Sequence, residues 1–191
     1  MRWFTRTFLA AVLAAALAPP VTAEAPVTPV DMTTRVVGVD VMTATVLQEV
    51  QSSFSGLGLR MRIHSPVFVR GLEFMPTIEY WRNSNSVQPF DISTTRKDAT
   101  LALDTRYVFG SSGFRPYIGA GYGLHFLSSS VNAPALGLND ESRALTKGGL
   151  AALGGASFSL AGRIENFIEI KYHHVPGYRQ LKINWGLTMK M

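Results

Sequence analysis

Residues 180–191 read QLKINWGLTMKM. Leu181, Ile183, Trp185, Leu187, Met189 and Met191 take every second position, and Gln180, Lys182, Asn184, Gly186, Thr188 and Lys190 fill the gaps. A period of two is that of a strand with one apolar and one polar face. What covers the apolar face decides the fold.

Moving back along the chain, the same period recurs in seven more segments. Val37, Val39 and Val41 alternate with Gly38, Asp40 and Met42. Leu57, Leu59, Met61 and Ile63 alternate with Gly58, Arg60 and Arg62. Leu72, Phe74, Ile78 and Tyr80 alternate with Glu73, Met75, Thr77 and Glu79, with Pro76 on the apolar side, where it disturbs a regular ladder. Leu101, Leu103, Thr105, Tyr107 and Phe109 alternate with Ala102, Asp104, Arg106 and Val108. In FRPYIGAGYGLHFL (residues 114–127), Ile118, Ala120, Tyr122, Leu124 and Phe126 face away from Gly119, Gly121, Gly123 and His125. Ile168, Ile170 and Tyr172 alternate with Glu169, Lys171 and His173. In GGLAALGGASFSLA (residues 148–161) the apolar side is Leu150, Ala152, Ala156, Phe158 and Leu160. A buried helix is the rival there, but Gly148, Gly149, Gly154 and Gly155 weaken it.

The N-terminus has a different texture. Arg2 and Arg6 precede an apolar stretch from Thr7 to Ala18, which Pro19-Pro20 breaks. Small residues follow at Ala23 and Ala25. This is the pattern of a secretory signal peptide over 1–25, cleaved after Ala23 or Ala25. The stretch is shorter than the roughly 20 residues a membrane-spanning helix needs. Residues 26–35 read as an extended periplasmic lead-in, and 36–191 as the barrel.

Only 16% of residues are charged, against about 25% in a typical soluble domain. The net charge of +5 is scattered, without the Lys/Arg block that marks a nucleic-acid binder. There is no cysteine, which removes disulfides, thiolate chemistry and Cys-ligated metal. No metal site and no cofactor are expected.

Connectors alternate too. HSPVFVRG, GSSGFRP and AGRIEN are short, whereas 82–99 and 128–147 are long and polar. Short turns at one rim and long loops at the other is the habit of an outer-membrane barrel, and an even strand number puts both ends at the periplasmic rim. The two long loops are the candidate surface-ligand sites. Ala133–Leu138 forms an apolar patch within the second.

Alternation alone fits a soluble ligand-binding barrel in the periplasm as well, with its apolar face inward. Three features favour the opposite sense. The polar face is charged and nearly balanced: Asp40, Glu73, Glu79, Asp104 and Glu169 against Arg60, Arg62, Arg106, Lys171, Lys182 and Lys190. That suits a lumen of interlocked ion pairs, because an unpaired buried charge costs several kcal/mol. Gly119, Gly121 and Gly123 share this face and leave room for long side chains in a narrow barrel. Tyr80, Phe109, Phe126, Phe158 and Tyr172 lie near strand ends on the apolar face, where membrane-interface aromatics belong. The expected fold is all-β: a transmembrane, up-and-down antiparallel barrel of eight strands, monomeric, in the outer membrane of a Gram-negative bacterium.

FRPYIGAGYGLHFL, with a short turn before it and a long loop after it, resembles the fifth strand of the OmpA/OmpX/OmpW-like superfamily of small outer-membrane barrels. LKINWGLTMKM resembles the C-terminal signal read by the barrel-assembly machinery, although such signals usually end in Phe and this one ends in Met191. The resemblance spans most of 36–191. It implies lipid and lipopolysaccharide as surroundings, and a structural, surface-interaction or small-ligand passage role. An eight-stranded barrel has no open pore.

Some barrels of this kind modify lipid A. The deacylases use a His, a Ser two residues on, and an acid. Here Val175 follows His173 at that spacing, and Pro176 follows His174. Ser128, Ser129 and Ser130 lie in another segment. His125 and His173 are expected at the upper rim of the lumen without zinc-ligand spacing. An enzyme role is the lesser alternative.

Overall fold

The computed structural model describes residues 33–48, 51–65, 69, 71–87, 92–110, 113–134 and 138–191. The leader expected over 1–25 and most of the lead-in lie outside them. Eight strands form: β1 (Arg35–Gln48), β2 (Gln51–His64), β3 (Leu72–Val87), β4 (Ile92–Val108), β5 (Phe114–Ala133), β6 (Leu138–Ala161), β7 (Ile164–Val175) and β8 (Tyr178–Lys190). Each pairs antiparallel with its neighbours in chain order, and β8 pairs back onto β1, so the sheet closes into a barrel. Closure leaves no free edge around the belt; beyond it, among the described residues, β3 past Trp81 and β6 before Leu150 are paired on one side only. The glycine-rich segment over 148–161 lies in strand β6.

Both barrel ends and the β2–β3, β4–β5 and β6–β7 connections lie at one rim, the terminal rim. The other four connections lie at the far rim. The β7–β8 turn is two residues, Pro176-Gly177, with φ +75° at Gly177. Pro then Gly is the residue order of a type II turn, whose third position needs a positive φ.

One expectation is corrected here. Residues 82–99 and 128–147 are not long loops. Pairing of β3 with β4 runs on to Val87↔Ile92, and pairing of β5 with β6 runs on to Ala133↔Leu138. The outer face of these extensions is largely polar and the inner face mixes polar residues with Leu127, Val131 and Leu145, so the apolar alternation that reveals a strand is blurred although the ladder continues. Residues 88–91, and 135–137 of the apolar patch, lie outside the described residues. The result is a wall with a tall side, β3 to β6, and a short side.

Pro76 leaves its mark on one side only. It keeps its place against Leu103 of β4. Towards β2 the ladder skips from Arg60↔Thr77 to Ile63↔Phe74. Proline has no N–H to give, so the disturbance falls on the β2 seam.

The wall is apolar outside. Ile78, Leu101, Leu103, Ile168, Ile170, Ile183, Trp185 and Leu187 are all exposed there. The inside holds Asp40, Arg60, Asp104, Glu169, Lys171 and Lys182, each at most 1% exposed. This is the reverse of a soluble barrel. The interior is narrow: a Cβ added at Gly121 would run into the Asp104 carboxylate. Glycine at that position is what lets the acid lie flat on β5.

Candidate functional site

The lumen is built in tiers. At the terminal rim, Arg62 Nε meets Asp40 Oδ1 at 2.7 Å and Arg60 Nε meets Asp40 Oδ2 at 2.9 Å. Arg60 Nη1 also reaches Glu169 Oε2 across the barrel at 2.8 Å. Glu165 gathers Arg62 (3.2 Å), Lys190 (3.0 Å) and Arg115. Arg106 donates through Nε and Nη2 to Glu73 Oε2 at 2.8 and 2.7 Å. Two aromatic rings fill between these ions. The Arg60 guanidinium lies 4.8 Å from the Phe167 centroid, and that of Arg106 4.4 Å from Tyr117. Both are at cation–π distance.

In the middle tier Lys171 Nζ donates to Asp104 Oδ2 at 2.6 Å and Glu79 Oε1 at 3.1 Å. Lys182 takes the other Glu79 oxygen. Asn184 Nδ2 and the Tyr117 hydroxyl donate to Glu169 at 2.9 and 3.2 Å. Each ion thus meets an opposite charge, and Glu169 accepts from neutral donors as well, the condition under which buried pairs are tolerated.

The upper tier is different. Asp98 Oδ2 accepts from His125 Nδ1 at 2.9 Å, and the Thr100 hydroxyl donates to Asp98 Oδ1 at 3.1 Å. The other ring nitrogen of His125, Nε2, lies 3.2 Å from His173 Nδ1, so a hydrogen bond joins the two rings. Beside this polar chain, Ala44, Val46 and Trp81 pack into a small apolar plug, with Phe54 against it. Among the described residues the lumen carries seven acids, Asp40, Glu73, Glu79, Asp98, Asp104, Glu165 and Glu169. Seven fixed bases oppose them: Arg60, Arg62, Arg106, Arg115, Lys171, Lys182 and Lys190.

All eleven residues expected on the polar face point into the lumen. Lys190 sits at its lip, about a third exposed. Asp98, Glu165 and Arg115 belong to the network as well. Sequence reasoning missed them because it assigned them to connectors; period two, carried a few residues further, places each on the inner face. His125 and His173 are not loose rim residues: both are fully buried.

Above the lumen, the tall side continues with a new chemistry. On its inner face Asn83, Arg96, Ser129 and Arg143 lie opposite one another in register across β3, β4, β5 and β6. Asn83, Asn85, Thr94 and Arg96 line a recess of about 180 Å³. On the outer face Arg82 stands opposite Lys97, one row above Tyr80 and Phe126. The next row pairs the Ser84 and Thr95 hydroxyls at 3.1 Å.

No family model matches the chain, and no curated protein matches it. Solved structures do. Ail, the attachment invasion locus protein of Yersinia pestis, solved with the heparin analogue sucrose octasulfate, aligns over 83% of this chain and 98% of its own, with a TM-score of 0.58 at 13% identity. Neisserial surface protein A aligns over 83% and 99%, with a TM-score of 0.57 at 21% identity. A major outer membrane protein of Thermus thermophilus aligns over 81% and 99%, with a TM-score of 0.59 at 11% identity. The chain has the fold of the small outer-membrane β-barrels. Identity this low carries the fold and nothing finer.

On this outer-membrane-type barrel the expected aromatics separate into two groups. Tyr80, Phe126 and Tyr172 lie towards the far rim, and Phe109 and Phe158 towards the terminal rim. Tyr107 and Phe114 join the lower group, with Tyr107–Phe109 centroids 5.0 Å apart and Phe114–Phe158 centroids 5.2 Å apart. Among the described residues the His-and-Ser arrangement of a barrel deacylase does not assemble. His173 points inward and bonds His125, whereas His174 is outside with Leu150 and Arg179 as its register partners. Neither of those is a nucleophile or an acid.

Proposed function

We propose that the protein is exported by its N-terminal leader and inserted as a monomeric barrel in the outer membrane of a Gram-negative bacterium. There it serves as a closed anchor that presents its tall hairpins to the cell exterior. One observation carries this reading: the wall is apolar outside and ionic inside. Such a cylinder is stable where its exterior meets hydrocarbon, because all backbone groups are satisfied within the closed sheet. The aromatic groups near both rims suit the two membrane interfaces. Arg82 and Lys97, just above the upper aromatics, suit the phosphates of lipopolysaccharide. The alternating strand β8 suits delivery by the barrel-assembly machinery.

The packed lumen favours an anchoring and surface-interaction role over passage of a ligand. Opening a path means separating Lys171 and Lys182 from Glu79, at a cost of several kcal/mol. Ail was solved with a heparin analogue, which suits surface interaction for a relative in fold. Membrane fractionation with heat-shifted gel mobility tests the location. The protein should sediment with outer membrane and run faster when unboiled; recovery in the aqueous fraction overturns the reading. Orientation is tested by labelling whole cells with an impermeant maleimide. Ser130→Cys should label and Arg163→Cys should not.

A further inference from the structure

The arginines of the lumen each hold an acid, but Arg96 and Arg143 show no ion pair among the described residues; Glu141 is the acid one row above Arg143 in register on this face. They share one face of the tall wall, with Ser129 directly between them in the ladder. Two strand spacings, about 10 Å in all, separate the two backbones, and both side chains are exposed. The two guanidinium groups therefore flank a strip of wall rather than each other. Next to Arg96 lies the recess of about 180 Å³, lined by two amides, a hydroxyl and this same guanidinium. Its floor is closed, because Trp81 and Asp98, the row beneath, are buried.

We infer that this face binds an acidic saccharide, with Arg96 and Arg143 taking its acid groups. A guanidinium presents two parallel N–H donors that match a carboxylate or sulfate. Primary amides and a hydroxyl both donate and accept, which is what a sugar ring with several hydroxyls requires. The recess is smaller than the roughly 300 Å³ at which drug-sized pockets begin, so it takes one sugar unit of a longer chain. Asn83, Asn85, Thr94 and Arg96 make the recess itself wholly polar, while Leu127 and Leu145, one row below on the strip between the arginines, offer an apolar patch for the flat face of a sugar ring. The closed floor means the ligand is held at the mouth and goes no deeper.

The choice of a glycan rests on the proposed orientation, in which this rim faces the cell exterior. The binding chemistry does not, so the test is made on the purified full chain in detergent micelles. Four probes are titrated by calorimetry: a sulfated glycosaminoglycan tetrasaccharide, its desulfated and carboxyl-reduced neutral form, an acidic core oligosaccharide from lipopolysaccharide, and inorganic sulfate. The parent should bind at least one acidic oligosaccharide. Whichever binds tells whether the source is foreign glycan or the cell's own envelope. Arg96→Ala with Arg143→Ala should weaken that binding at least tenfold. Arg35→Ala with Arg163→Ala, which removes the same charge at the terminal rim, should leave it within twofold. Heat-shifted mobility verifies that each variant is folded.

Several results overturn the inference. These are no binding of either acidic oligosaccharide, equal binding of the neutral form, equal binding of sulfate alone, or equal loss on removing charge at either rim. Failure of the whole-cell labelling experiment, with binding intact, overturns the orientation and leaves the site.

Discussion

Arginine lives two lives in this barrel. At the terminal end of the lumen, Arg60 and Arg62 share Asp40 and reach on to Glu169 and Glu165, with almost no surface left to water. At the far rim, Arg96 and Arg143 stand on the same inner face, a few rows higher, with water around them and no acid in hand among the described residues. The backbone pattern is continuous between the two regions. What changes is enclosure. Inside the closed tier an ion must be matched, and above it an ion is free to meet something else.

Removing one acid from the enclosed tier is the harshest way to test this difference. Asp40→Ala leaves two guanidinium groups short of their shared carboxylate and should cost about 3–5 kcal/mol, the range for breaking a buried pair. Equilibrium urea unfolding in micelles measures it, and an unchanged midpoint breaks the comparison. Next comes the same charge on the wrong side of the wall. Ile183→Arg puts a guanidinium on the outward face beside lumen-facing Lys182 and should cost about 2–4 kcal/mol in a bilayer. Equal stability of variant and parent in vesicles would mean that this face does not meet lipid. Crowding the enclosed tier is gentler. Gly121→Ala pushes a methyl against Asp104 and should cost about 1–3 kcal/mol by overpacking, read from the same unfolding curves. The smallest effect belongs to the rim. Arg96→Ala with Arg143→Ala should shift stability by no more than about 0.5 kcal/mol, as for ordinary surface changes. A larger loss would show these side chains to be structural.

The sequence revealed the wall better than its contents. Period two assigned eleven of the fourteen described lumen ions to their face, because lipid outside and ions inside impose opposite demands on neighbouring residues. Depth and partner were not legible. That Arg60 meets Glu169, 109 positions away, depends on how closure staggers the strands, and no local pattern records it. Asp98 was lost for another reason. It sits where β4 passes out of the apolar belt, and once both faces of a strand meet water the alternation fades while the hydrogen bonds go on. The tall hairpins were read as loops for the same cause. His125 and His173 show the limit most plainly: their face was readable, but the contact between their rings was not.

Pro76 has an effect beyond its own position. The β2–β3 seam is the shortest ladder in the barrel among the described residues, and the proline interrupts it near one end. Mechanical strain on a closed cylinder concentrates where the hoop is thinnest. Under lateral pressure, or in deuterated solvent, this seam is where the wall should first breathe, with Met61, opposite Pro76, exchanging its amide proton ahead of its neighbours. A rigid staple of ions across the bore and a slack stitch in its side thus occupy the same level, and the ions are what keep the stitch from running.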